Sequence, residues 1–231
     1  MIERHNLEKM LQENRKKRIE EVLQQRTRQI CGLIEGVHDP HNISAVLRSA
    51  EAYGIQDCYI LPNEENPELK LNKNVASSAQ RWLSIHQFSD EKIAKKRSDC
   101  LKTLKSKNYK ILAFTPHQSN FSLDDINPHE KYALCFGNEK DGLTPSLIEA
   151  ADYRVALPMR GFVESFNISV CAAISFEIAS TIIRSKNNWP LSEEEKEQLR
   201  FEWIKKSINQ FNKLQEIYER TQEPSSNVKD A

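Results

Sequence analysis

Two loops hold residue types that do chemistry. FGNEKDGLT at 136–144 follows the apolar run KYALCF and sets Asn138, Glu139, Lys140 and Asp141 between Gly137 and Gly142. Its spacing matches the phosphate-binding pattern G-x-x-x-x-G-K-[ST], except that Leu143 stands where the lysine belongs. In that pattern the lysine reaches the outer phosphates and the hydroxyl residue binds magnesium; Leu143 does neither, and Lys140 comes three positions too early. With six glycines in all and no G-x-G-x-x-G, a dinucleotide loop is excluded too. What remains is a tight turn with polar side chains at the end of a strand. The second loop, within LPMRGFVESFNISVCAAISFEIA at 157–179, turns at Pro158 and Gly161 and sets Ser165 and Asn167 at the mouth of an apolar helix. A helix apolar on almost every side is expected to be buried.

The elements that must hold these loops alternate along the chain. Short β-type runs recur at 32–37 (GLIEGV), 57–62 (DCYILP), 81–88 (RWLSIHQF), 109–114 (YKILAF), 131–136 (KYALCF) and 153–157 (YRVAL). Stretches of helical spacing lie between several of them, which predicts a mostly parallel α/β sheet with helices on both faces. Ligands of such sheets bind at the C-terminal edge, where both loops fall. After His41, Asn42 is the expected N-cap of a helix whose Ile43, Val46, Leu47 and Ala50 share one face; Ser44, Ala45, Arg48, Glu51 and Ala52 fall on another.

Outside 31–187 the pattern changes to helical arms. Residues 1–30 carry Leu7, Met10 and Leu11, then Ile19, Val22 and Leu23, as two amphipathic stretches or one long helix. In the arm at 188–231, Ser192 and Glu195 form a capping box ahead of a stripe of Ile204, Ile208, Phe211, Leu214 and Tyr218. The arms are expected to pack on each other, on the core or on a second subunit, and the tail EPSSNVKDA to be disordered.

The 231 residues carry no net charge, which argues against a general polyanion binder. The charge is uneven, however. Residues 1–30 hold eight Lys/Arg against five Asp/Glu, including Arg15, Lys16, Lys17 and Arg18, and residues 91–110 hold eight against two. Two local basic zones keep a nucleic-acid partner open, the bland reading of each being a solvated helix face. Five scattered cysteines without a C-x-x-C pair suggest neither a disulfide frame nor a zinc site. His38 and His41 read as a loop around Pro40 and not as metal ligands. No apolar run approaches a membrane span and the N-terminus has no apolar signal core, so a cytoplasmic protein without a membrane partner is expected.

Together with PHNISAVLRSAEAYGI at 40–55, the two loops resemble the three motifs of the SPOUT superfamily of RNA methyltransferases, in its SpoU or TrmH branch of ribose 2'-O-methyltransferases. The first motif is Asn42 with Arg48, Ala50, Tyr53 and Gly54; the second is FGNEKDGLT; the third is LPMRGFVESFNISVCAA. Phe166 stands where the family usually has leucine, and Cys171 where alanine is more common. The resemblance implies a C-terminal deep trefoil knot, which ordinary folding rules disfavour. It also implies a homodimer with the active site at its interface, and S-adenosylmethionine as cofactor, leaving as S-adenosylhomocysteine, without a metal. By motif position Thr115, Gly137, Leu157, Ser165 and Phe166 would bind the cofactor, and Arg48 would be the catalytic arginine, with Asn42, Glu139 and Asn167 holding it and the ribose.

A guanidinium has no lone pair to act as a plain base, so Arg48 is expected to grip the adjacent phosphate and orient the hydroxyl, with the phosphate or a water taking the proton. The arms resemble those of the enzymes that methylate guanosine 18 in the D-loop of tRNA, with Arg15, Lys16, Lys17 and Arg18 as RNA contacts. The rivals are the same chemistry on ribosomal RNA or another tRNA position, and a non-catalytic knotted RNA-binding protein. Intact Arg48, Asn138, Glu139, Ser165 and Asn167 count against the last.

Overall fold

The computed structural model describes residues 4–62, 79–88, 92–116, 119–208 and 211. In chain order the elements are α1 (Arg4–Lys9), α2 (Glu13–Leu23), β1 (Thr27–Glu35), α3 (Pro40–Ala52), β2 (Ile55–Leu61), β3 (Ser84–Gln87), α4 (Ile93–Ser106), β4 (Tyr109–Phe114), β5 (Lys131–Phe136), α5 (Pro145–Ala150), β6 (Tyr153–Val155), α6 (Ile168–Arg184) and α7 (Glu193–Ser207). They fall into two compact units: Arg26–Pro190, and Met1–Gln25 with Leu191–Ala231.

In the first unit six strands form one sheet in the order β3-β2-β1-β5-β4-β6, every pairing parallel. Side chains alternate between its faces, so each strand feeds two cores. On one face Ile30 and Ile34 of β1 meet Ile43, Val46, Leu47 and Ala50 of α3 and Ile168, Ala172, Phe176, Ala179 and Ile183 of α6. On the other, Cys31 and Leu33 meet Cys100 and Leu104 of α4 and Leu147 of α5. Covered on both faces, β2 is buried at all seven positions, the polar Gln56 and Asp57 included. The strand order reverses at the β1–β5 boundary, where the loops after the two strands emerge side by side.

Three local features differ from the sequence expectation. β1 starts at Thr27, ahead of GLIEGV, because its polar opening residues are fastened and not exposed: Thr27 Oγ1 donates to the Trp189 carbonyl at 2.7 Å and Arg28 Nε to Asp57 at 2.8 Å. The N-cap of α3 is Asp39, whose carboxylate accepts from the His41 amide at 2.8 Å with Pro40 in the first turn; Asn42 lies inside the helix, its side chain free for another use. α6 is buried along one face only, and Val170 is 44% exposed.

β6 pairs with β4 on one side and with the segment just after β4 on the other: Phe121 bridges Val155, and the Asn120 amide donates to the Arg154 carbonyl at 3.0 Å. At the other end of the sheet, Asp57 is buried between Arg28 and His86, whose Nε2 lies 2.7 Å from its carboxylate. His86 in turn stacks on Tyr59 with ring centroids 4.4 Å apart. The ends of this unit are paired, Thr27 with Pro190.

In the second unit Leu7, Ile19 and Leu23 are buried, as are Leu199, Trp203 and Ile204 of α7. The arms pack on each other through α1, α2 and α7: Lys196 Nζ donates to Gln24 at 3.0 Å, and Arg200 grips Glu20 with two nitrogens. The Ser192–Glu195 capping box forms as expected. Leu214, Tyr218 and the tail lie outside the described residues. Among the described residues no helix is long and apolar enough to cross a membrane.

Candidate active site

Where the strand order reverses, the three motifs meet. Ile34 of β1 pairs with Phe136 of β5, so the start of α3 and the 137–143 loop leave the sheet as neighbours. Asn42 Nδ2 donates to the Glu139 carboxylate across that boundary. Asn42 Oδ1 accepts from Asn167 Nδ2 at 3.2 Å, and Asn167 Oδ1 caps α6 by accepting from the Ser169 amide at 2.8 Å. One side chain from each motif is thereby joined to the next.

The 137–143 loop curls back on itself. A Cβ on Gly137 would lie 2.0 Å from the backbone carbon of Gly142, and Gly142 itself has φ +69°, so both positions require glycine. Asn138 Oδ1 accepts from the Lys140 and Asp141 amides at 2.9 and 2.6 Å, fastening the turn from within. Leu143 is 4% exposed and packs with the α4 and α5 face of the sheet; a lysine there would be buried. Beneath the loop the buried Glu35 accepts from the Thr144 amide at 2.9 Å, from its hydroxyl, and from Arg97.

Beside this turn is a cavity of about 410 Å³, within the range of small-molecule sites. Thr115, Gly137, Leu157, Ser165 and Phe166 all line it, against an apolar wall that includes Phe114, Phe136 and Val155. Its charged lining is Glu139, Asp141 and Glu164 against Lys140, an acidic balance that favours a cationic ligand. Cys171 also faces it, and burial pushes that thiol up to about 11, partly offset by Ser175. It stays protonated at neutral pH and is no thiolate nucleophile.

Arg48 lies on the exposed side of α3, about 9 Å along the axis from Asn42 and roughly 120° around it. The geometry groups Asn42, Glu139 and Asn167 and sets Arg48 apart on the same helix. Arg15, Lys16, Lys17 and Arg18 are on α2, in the other unit, where Lys16 pairs with Glu13 at 2.6 Å and Arg18 with Glu21 at 3.3 Å. Sequence reasoning missed Glu35, Glu164 and Ser169. Glu35 alone carries a signal, a carboxylate inside an apolar run.

The profile of the SpoU rRNA Methylase family matches residues 30–177, a span that contains all three motifs. A relative from Borreliella burgdorferi, a tRNA (guanosine(18)-2'-O)-methyltransferase, is 29% identical over 91% of this chain and 94% of its own. Among solved structures, the A. aeolicus TrmH/SpoU tRNA modifying enzyme superposes with a TM-score of 0.72 at 26% identity, covering 85% of this chain and 98% of that one. The SpoU methyltransferase AviRb from Streptomyces viridochromogenes, solved with AdoMet, shares the fold at 19% identity with a TM-score of 0.55, over 70% of this chain and 60% of its own. With the match covering well over half of its 231 residues, this chain belongs to the SpoU rRNA Methylase family.

Proposed function

We propose that the protein transfers a methyl group from S-adenosylmethionine to a ribose 2'-hydroxyl of RNA, at guanosine 18 of tRNA. The observation that carries the reading is the hydrogen-bonded convergence of Asn42 and Asn167 with Glu139, which lines the cavity, at the point where the strand order reverses. The tRNA substrate draws on what the B. burgdorferi and A. aeolicus relatives are named for, and it implies a cytoplasmic location.

The cavity suits the cofactor: apolar walls for a flat base, backbone groups of the 137–143 loop, and an acidic balance for a sulfonium. S-adenosylmethionine, when bound, supplies a methyl group already activated on a good leaving group. The work left to the protein is alignment and handling of the hydroxyl proton. Thr115, Gly137, Leu157, Ser165 and Phe166 hold the cofactor; Asn42, Glu139 and Asn167 orient the ribose. Arg48 binds the neighbouring phosphate and steers the hydroxyl, which suits a permanent cation better than base catalysis does. Arg15, Lys16, Lys17 and Arg18 grip tRNA phosphates from the arm unit of Met1–Gln25 and Leu191–Ala231, outside a methyltransferase core that runs from Arg26 to Pro190 and so is slightly wider than the 31–187 expected from sequence.

Two further parts of the reading have their own support. Phe162, Val163 and Val170 are 108%, 65% and 44% exposed beside the cavity loop, and a second copy that covers them would place the site at a homodimer interface. The position of β6, between β4 and Asn120–Phe121, supports a trefoil knot in which the segment after the second motif threads back through a loop. Incubation with labelled S-adenosylmethionine and unmodified tRNA and rRNA, followed by mapping of the 2'-O-methylated nucleotide, tests the activity. Label at tRNA position 18 is expected; label confined to rRNA would overturn the substrate.

A further inference from the structure

The bonds among the motif residues have a direction. The Glu139 carboxylate accepts from Asn42 Nδ2, and Asn42 Oδ1 accepts from Asn167 Nδ2 at 3.2 Å. Asn167 Oδ1 then accepts twice from Ser169, from its amide at 2.8 Å and its hydroxyl at 2.6 Å. An asparagine amide has nearly the same shape either way round, so only its partners decide which atom points where. A carboxylate accepts and a backbone N–H donates. With such groups at opposite ends, reversing either amide would set two oxygens or two NH₂ groups against each other.

We propose that Ser169 is a positioning residue, and that the chain Glu139–Asn42–Asn167–Ser169 is a polarity lock that fixes both asparagine amides for the RNA strand. The two donors of Ser169 take Asn167 Oδ1, which leaves Nδ2 for Asn42 and turns Asn42 Nδ2 toward Glu139. Each asparagine keeps one N–H outside the chain, and Glu139 keeps its second oxygen. The site therefore offers donors at 42 and 167, suited to phosphate or ribose oxygens, and an acceptor at 139, suited to a ribose hydroxyl. This rests on the methyl-transfer reading above.

Asn167→Asp separates the lock from the helix cap. Aspartate caps a helix as well as asparagine does and still accepts both Ser169 bonds, but it cannot donate to Asn42. Its unfolding midpoint should match the parent while kcat falls on the order of 30-fold, the scale of losing one well-placed hydrogen bond, with KM for S-adenosylmethionine within about twofold. Ser169→Ala should cost roughly fivefold in kcat and Ser169→Thr should restore it. Asn42→Asp sets carboxylate against carboxylate; adding Glu139→Gln restores a donor to that link and should recover about tenfold of the loss.

Side-chain amide exchange in ¹⁵N-asparagine-labelled full-length protein reads the lock without turnover: the Asn42 amide should exchange faster in the Asn167→Asp variant. Parental turnover with unchanged Asn42 exchange in that variant would overturn the lock, as would loss of turnover together with the unfolding midpoint. Altered exchange in a protein that methylates no RNA would instead remove the methyl-transfer reading and leave the lock standing.

Discussion

Two polar clusters sit near opposite ends of the same sheet and are built in opposite ways. Asn42, Glu139 and Asn167 bond across loops at solvent-exposed positions, with N–H groups and a carboxylate oxygen left over. Asp57 is 4% exposed, and both its oxygens are claimed, by Arg28 and His86. Burial alone pushes the Asp57 carboxyl up, but the His86 hydrogen bond and the Arg28 charge more than offset it, so it titrates below the ordinary carboxylate range. A cluster that closes on itself stabilises; one that keeps hydrogen-bonding capacity is ready for a partner.

The contrast breaks most sharply at Arg48. Arg48→Ala should lower turnover by about 100-fold or more while S-adenosylmethionine still binds in calorimetry; near-parental turnover would remove Arg48 from the site. Asp57→Ala should behave in the reverse way, costing about 3 kcal/mol of stability in urea titrations by removing the buried carboxylate that Arg28 and His86 share, with turnover per folded molecule unchanged. Because the folded Asp57 carboxyl is depressed, its stabilisation is present above the unfolded value near pH ~3.9 and disappears as pH falls through the lower folded value. The gap in urea midpoint between the parent and Asp57→Asn should therefore narrow below about pH 4, and a gap that stays constant would contradict the linkage.

Smaller effects sharpen the same comparison. Replacing Arg15, Lys16, Lys17 and Arg18 by alanine should weaken tRNA affinity about tenfold at low salt and flatten its salt dependence, and an unchanged slope would exclude that cluster. The effect is modest because Lys16 and Arg18 already have acidic partners. Burial pushes the Cys58 and Cys100 thiols up to about 12, so brief alkylation of the native protein at pH 8 should leave both unmodified by mass spectrometry.

How far the sequence could be read depended on where polar residues fall. β4 and β5 match their apolar runs residue for residue, because turn residues bound them and both faces are covered. The opening of β1 was hidden because Thr27, Arg28 and Gln29 look like loop residues until their partners are known. Asn42 resembled a cap, yet Asp39 fills that role and leaves the Asn42 amide for Glu139. The identities of Asn42, Glu139 and Asn167 were legible from their motifs; their connection was not. It joins residues 97 and 125 positions apart and exists only because β1 and β5 are neighbours in the sheet.

The pairing of Thr27 with Pro190 bears on synthesis as well as on shape. It brings the two exits of the core together, so a short peptide link could join them and new ends could be opened elsewhere. Opened within residues 119–126, such a permutant could form the β4–β6 pairing without any end passing through a closed loop. Equal refolding rates for the permutant and the natural order would count against the proposed knot, and faster refolding of the permutant would support it.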